Sequence, residues 1–351
     1  IDTDLEKMSD AEEIIRERSA TFEFITPTPI DKPDEDGERG TGYNYECDTI
    51  LENFEIPIYP EPLQIAAPFS YQVAGHDPFL KAHGGLLCKP FVPRELWFYI
   101  VIKKSFEHYL PFVAEFNGCV DFSTEQIREF ASAVTQFDSK ESKIEKYITP
   151  WAEKVHHGHL QRIASPKSSS RRHRYLVLRD MTSQCTWPCV MDLKMGQRAY
   201  GDDATPKKMV SQTLKSKQTT SYSTGLRICG CQGYSAVTEE FWQLHKYEGR
   251  KITKETLPLA FSKFFHNDVL LRKDVIACFL EELENLLDII KRSEFRFYST
   301  SLLLVYDGAS EEPIIYLKMI DFAHTFAAEG KPIDDGYLLG LNNVIDLFRG
   351  L

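Results

Sequence analysis

Residues 188–196 read PCVMDLKMG. If this run is a strand, alternate side chains share a face, so Asp192 and Lys194 point one way with Val190 while Met191, Leu193 and Met195 point the other. An acid and an ammonium so placed either neutralise each other or act separately, the carboxylate orienting hydroxyl groups and the cation meeting a phosphate. Two further residues fit the second reading. Lys89 stands at the end of a strand-like run, where an ammonium on a rigid sheet acts as a point charge on the phosphates of a nucleotide. Asp321, in MIDFAH, follows apolar residues at a strand end, a usual place for a carboxylate that holds Mg²⁺ against transferring phosphates. Singly, these are an exposed strand lysine and a turn acid. In the order Lys89, Asp192 with Lys194, Asp321, they stand where a nucleotide-dependent kinase needs them.

A small basic patch lies just downstream. Lys207, Lys208, Lys215 and Lys217 decorate the run KKMVSQTLKSK, and Lys208 and Lys215, seven apart, share a helical face with Ser211 and Gln212. Either this is a solvated face or, in an acidic protein, a contact for a polyanionic small molecule. Other signals are poorer. HHGH (His156, His157, His159) has no Cys or carboxylate at ligand spacing. In the strand-like LRICGCQGY, Cys229 and Cys231 read as small apolar filler on one face. Neither GxxxxGK[ST] nor GxGxxG before a helix is present, which removes the main support for a P-loop NTPase, a typical protein kinase or a Rossmann enzyme.

The elements that must position these residues follow from pattern. FSYQVAGHDPFLKAHGGLLCKPF reads as a hairpin of two short strands, and RELWFYIVIKKSF, after Pro93, as a helix with Glu95 as the acid of its first turn. The Ser/Arg bridge SPKSSSRRHR feeds the strand YLVLRDM. Thr205-Pro206 gives an N-cap and a first-turn proline to a short helix carrying the lysines. Over 268–292, Val275, Ile276, Phe279, Leu280, Leu283, Leu286, Leu287 and Ile290 recur at steps of three and four, predicting a long core-facing helix. FYSTSLLLVYDG and IIYLKMIDFAH, joined by GASEEP, read as a late hairpin. The sum is a mixed α/β (α+β) architecture in two lobes.

Composition sets the outer limits. The 351 residues are 42% hydrophobic and 26% charged, which predicts a folded chain. A net charge of −11 argues against nucleic acid as a partner, though not against a local basic pocket. No apolar run approaches a membrane span, and the eight cysteines form no CxxC pair, which favours a reducing compartment, cytoplasmic and/or nuclear. Residues 1–68 read as an acidic arm that is a solvated tail or a docking segment for protein partners, 69–178 as an N-lobe and 179–351 as a C-lobe.

PCVMDLKMG also resembles the PxxxDxKxG signature of the inositol polyphosphate kinase family, and STSLLLVYDG and KMIDFAHT resemble its companion segments in the same order. Gly201, Asp202, Asp203, Ala204 and Lys208 after the signature, with QVAGH and LCKPFVPRELWFY before it, are similar to the inositol hexakisphosphate kinase branch over about 69–351. The chain departs from animal members in reading GQRAY and LRDM where they have Gly-Thr-Arg-Gln-His and Leu-Glu-Asn-Val. The resemblance implies two lobes distantly related to protein kinases, with ATP and Mg²⁺ in the cleft between them. Carried over by residue, it implies that Lys89 contacts ATP phosphates and that Arg179 and Met181 offer hinge backbone to adenine. Asp192 would orient ribose or acceptor hydroxyls, Ser301 would support the phosphate and metal region, and Asp321 would hold the metal. Lys194 would bridge transferred and inositol phosphates, and Lys208, Gln212 and Lys215 would face the inositol phosphates. The implied reaction adds a β-phosphate to inositol hexakisphosphate. A multikinase or 3-kinase acting on less phosphorylated inositols, and an inactive inositol phosphate-binding scaffold, are the alternatives.

Overall fold

The computed structural model describes residues 63–75, 78–127, 154–155, 158, 172–328 and 330–351. Nearly all of the acidic arm, the histidines of HHGH and most of the Ser/Arg bridge lie outside the described residues.

Two five-stranded antiparallel sheets face each other. The first takes β1 (Ile65–Pro68), β2 (Leu80–Ala82), β3 (Leu86–Pro90), β4 (Phe116–Ser123) and β5 (Arg172–Arg179) in the order β1-β2-β3-β5-β4. Between β3 and β4 runs α1 (Pro93–Ser105), with its proline in the first turn, where no N–H partner is lost. Every residue from Glu95 to Ile102 is buried, so this helix has no solvated face along that length. On one side it meets Leu176 and Leu178 of β5; on the other, Phe98 stacks on Phe322 with centroids 4.1 Å apart. It is therefore the wedge between the two halves.

The second sheet is built from β6 (Pro188–Met195), β7 (Leu226–Ser235), β8 (Glu240–Leu244), β10 (Ser301–Asp307) and β11 (Ile315–Ile320), ordered β11-β10-β6-β7-β8, while β9 (Phe295–Phe297) pairs separately with β12 (Thr325–Ala327). The helices after β6 are α2 (Pro206–Lys217), α3 (Thr220–Thr224), α4 (Lys246–Gly249), α5 (Leu257–Phe265), α6 (Lys273–Ile290) and α7 (Asp335–Arg349). Strand β6 is central, and its register sets Lys194 opposite Ser301 and Asp192 opposite Leu303, which in turn faces Lys318 on β11. Paired residues share a face. One face thus carries Asp192, Lys194 and Ser301 toward the first sheet, while Met191, Leu193, Met195, Leu302 and Leu304 enter the core beneath. The expected sidedness of PCVMDLKMG is what the strand adopts.

Under that sheet, α6 buries Val275, Ile276, Phe279, Leu283, Leu286 and Ile290, with Leu280 and Leu287 half-buried at its edges. Each full burial stabilises by about 1.5–3 kcal/mol. No helix of the described residues is long and apolar enough to cross a membrane, and no disulfide is formed among the described cysteines.

Three local readings are corrected. The run FSYQ is not the first strand of a hairpin; the hairpin is β2–β3, and β1 precedes it. Residues 69–75 instead lie over the second sheet, where a Cβ on Gly230 would come within 2.1 Å of the Val73 carbonyl oxygen, and Gln72 fixes the loop by accepting from the Phe79 N–H and donating to the Ala74 carbonyl. The late hairpin starts at Ser301, because Phe295–Phe297 pairs elsewhere. Cys229 and Cys231 do not share a face. The β6–β7 register slips between Asp192 and Leu193, so that Ile228 and Cys231, three apart, both reach the core and Cys229 is left at the bulge.

Candidate active site

The deepest feature of the cleft is an ammonium held by two carboxylates. Lys89 Nζ, on β3, lies 2.7 Å from Glu95 Oε1 on α1 and 2.7 Å from Asp321 Oδ1 just past β11. Burial alone would lower the Lys89 pKa, but Asp321 and Glu95 hold it above its ordinary value. Burial pushes the Glu95 carboxyl up against the pull of Lys89. It also opposes ionisation of Asp321, but there Lys89 and Lys194 prevail and the carboxyl sits below the usual range. An ammonium has three donors, so the two carboxylates leave one N–H of Lys89 for a further acceptor.

Asp321 stands in the left-handed region, φ 67° and ψ 67°, uncommon for a residue with a side chain. The conformation costs on the order of 1 kcal/mol or more and persists because its neighbours fix it. Phe322, fully buried against Phe98 and Tyr99, is the anchor.

Asp192 is 7% exposed, and its Oδ1 has no hydrogen-bond partner among the described residues. Burial, with the Asp321 charge added, pushes its carboxyl up to about 6, against the pull of Lys194 and the Ser301 hydroxyl. No ion pair within 4 Å joins Asp192 to Lys194, so they form no direct salt bridge, although Lys194 still draws on the Asp192 charge. The partnerless buried oxygen marks a place built for a donor that arrives with a ligand. Among the described residues no group of three or more His, Cys, Asp or Glu could hold a metal alone. That fits Mg²⁺, which binds through one or two carboxylates together with substrate phosphates.

Above the same face, Val73, Val190 and Val305 form a separate apolar cluster, with Met181 and Leu303 packed on it. The Arg179 side chain turns away, donating to the Gly84 carbonyl, and its backbone N–H is given to Glu115. On α2, capped by Thr205 as expected, Lys208 and Gln212 are half-buried and Ser216 bonds the Gln197 carbonyl, whereas Lys215 is exposed.

Three contributors escape the sequence reading. Glu95 was legible only as a first-turn acid, although an acid opening the apolar run 96–102 is a candidate buried charge in need of a cation. Arg94, beside it, bonds Asp203 at 3.0 Å and stacks on Phe326 at 4.1 Å, tying α1 to the segment after β6. His324 is held neutral, its pKa lowered to about 4 by burial and by nearby Lys208, and its Nδ1 has no partner among the described residues.

The sequence model of the inositol polyphosphate kinase family matches residues 175–349. Inositol hexakisphosphate kinase 3 of Mus musculus is 36% identical over 246 residues, 63% of this chain and 62% of that relative, so the chain spans about three fifths of its length. Inositol hexakisphosphate kinase 2 of Oryctolagus cuniculus is 28% identical over 397 residues, 80% of this chain and 93% of the relative. Among solved structures, the inositol phosphate multikinase Ipk2 of S. cerevisiae, in complex with ADP and Mn²⁺, superposes with a TM-score of 0.55 at 21% identity, covering 76% of this chain and 99% of that one, a likeness of fold. With the signature strand and its partners assembled in one cleft, the chain belongs to the inositol polyphosphate kinase family, and the two curated relatives named above are inositol hexakisphosphate kinases.

Proposed function

We propose that the protein is a Mg-ATP-dependent inositol hexakisphosphate kinase that forms a diphosphoinositol product. The observation that carries this is the Lys89–Glu95–Asp321 cluster standing beside Asp192 and Lys194 on one cleft face. When bound, Mg-ATP supplies the γ-phosphoryl group and the divalent charge that neutralises its oxygens.

The protein's residues then divide the work. Val73, Val190, Leu303 and Met181 offer an apolar slot to the base, with the Arg179 carbonyl and Met181 N–H at its edge. Lys89 turns its remaining N–H to nucleotide phosphates, held in place by Glu95. Asp321 supplies the metal-binding carboxylate, supported by Ser301. Asp192 takes hydroxyl hydrogens on its partnerless Oδ1. Lys194 meets the transferred and acceptor phosphates, and Lys208, with Gln212, Lys215 and the neutral His324 nearby, lines the acceptor side. An acceptor phosphate is already ionised near neutral pH, so positioning and charge neutralisation do more here than a strong base.

A kinase acting on an inositol hydroxyl is favoured by one observation: a buried, partnerless carboxylate titrating near 6 is suited to orient and deprotonate an alcohol. Purified protein with Mg-ATP and a panel from inositol trisphosphate to hexakisphosphate, products separated by charge, decides. Pyrophosphorylated product from the hexakisphosphate supports the first reading; its absence, with ready consumption of tris- or tetrakisphosphate, establishes the second. Failure to bind Mg-ATP in calorimetry would leave an inactive scaffold.

A further inference from the structure

The first turn of α1 holds two neighbouring charges that reach different parts of the cleft. Glu95 holds Lys89, the cation placed for nucleotide phosphates, at 2.7 Å. Arg94, one residue earlier, reaches instead to the segment between β6 and α2, where its guanidinium bonds Asp203 at 3.0 Å and lies over the Phe326 ring at 4.1 Å. The Arg94 side chain is 12% exposed, so the ring and the body of the protein fix it, while Asp203 is 54% exposed.

The far end of this bridge is closely built. Gly201 packs on Phe326 so tightly that a Cβ there would stand 2.7 Å from the ring and 2.6 Å from the Asp203 carboxylate. Asp202 turns the other way, to Arg198 at 2.7 Å and to the buried Arg296 of β9 at 2.5 Å. Two adjacent acids thus staple the segment to different elements, Asp202 to β9 and Asp203 to α1. Two residues further on, Thr205 caps α2 and sets the start of the helix that presents Lys208 and Gln212. Beyond its burial, His324 is acted on by the charges of Lys208, Asp203, Arg94 and Lys194, so the bridge stands on the acceptor side.

We propose that Asp203 is a positioning residue for the acceptor, and that its bridge to Arg94 couples acceptor binding to nucleotide binding through the first turn of α1. The proposal rests on the kinase reading above, with Lys89 on the nucleotide and Lys208 on the acceptor. A nucleotide that fixes Lys89 and Glu95 also fixes Arg94, and with it Asp203 and the start of α2. The second ligand then meets a segment that the first has already set, and the effect is reciprocal. A pair with one half-exposed partner adds little to folding stability. Its loss therefore belongs in the coupling between ligands and not in the melting temperature.

Calorimetry on the whole chain tests this, with inositol phosphate titrated in the absence and in the presence of saturating Mg-ADP, which has no γ-phosphoryl group to transfer. The ratio of the two affinities reads the coupling. Asp203→Asn should lower that ratio at least about fivefold relative to the parent, with its affinity for Mg-ADP alone within about twofold of parental and its melting temperature unchanged. Arg94→Glu combined with Asp203→Arg, which exchanges the ends of the pair, should recover part of the loss. The same ratio in the parent and in Asp203→Asn, or a loss of Mg-ADP affinity as large as the loss of acceptor affinity, would overturn the proposal. Both hexakisphosphate and trisphosphate are titrated. Binding of the trisphosphate alone would remove the hexakisphosphate reading, while the ratio taken with trisphosphate would still decide the role of Asp203.

Discussion

Asp192 and Glu95 are two buried carboxylates with different tasks, and each can be tested through its charge. The Asp192 carboxyl titrates near 6 when folded, against an ordinary 3.8. Between those values the folded state keeps a proton that the unfolded chain has released, so stability falls as pH rises through about 4 to 6 and the full penalty stands above 6. Two pKa units correspond to about 3 kcal/mol. Melting curves should therefore find Asp192→Asn more stable than the parent at pH 7.5, with the gap closing toward pH 4, while its turnover is lower and its rate loses the acid limb near pH 6. Glu95→Gln keeps the shape but removes the charge that holds Lys89. Loss of one charge-assisted contact, ~1.5–3 kcal/mol, predicts a tenfold to hundredfold drop in kcat. That Lys89, Asp192, Lys194 and Asp321 gather in one place was legible from residue type and order. Glu95 and His324 were not, because their significance comes from what folds against them from distant sequence.

At the scale of elements, period and turn chemistry placed β6, α1, α2 and α6 closely: alternation gave β6, the three-and-four apolar spacing gave α6, and a first-turn proline marked the starts of α1 and α2. The failures cluster where tertiary contact overrides local pattern. FSYQVAG has strand-like composition but is laid across the second sheet, and the CGC strand hides a bulge at Cys229 that no alternation announces. Gly230 ties the first of these to function: an added Cβ meets the Val73 carbonyl oxygen at 2.1 Å, backbone that cannot turn aside. Gly230→Ala should lift the loop from the apolar slot, cost about 1–3 kcal/mol in a denaturant titration, and raise the KM for ATP more than it lowers kcat.

For the whole molecule, the two sheets meet through α1 and the Lys89–Glu95–Asp321 cluster, whose residues come from β3, α1 and the end of β11. A ligand that bridges them binds only the folded, assembled cleft. Mg-ADP at about 100 times its Kd should add ~2.7 kcal/mol, a rise of several degrees in melting temperature. Asp321→Asn should lose most of that rise when the metal is present. The two-lobed arrangement was readable through the family resemblance, whereas the ion cluster at its centre needed the fold. The proposed division of labour is that Lys194 serves the phosphoryl and acceptor side while the residues around Lys89 hold the nucleotide. It is tested most directly by single-turnover product formation from inositol hexakisphosphate, comparing the parent chain and Lys194→Ala, each preloaded with Mg-ATP. The parent should form the diphosphoinositol product and Lys194→Ala should retain bound ATP with product formation slowed about 100-fold or more; product appearing in the variant at the parental rate would contradict the account.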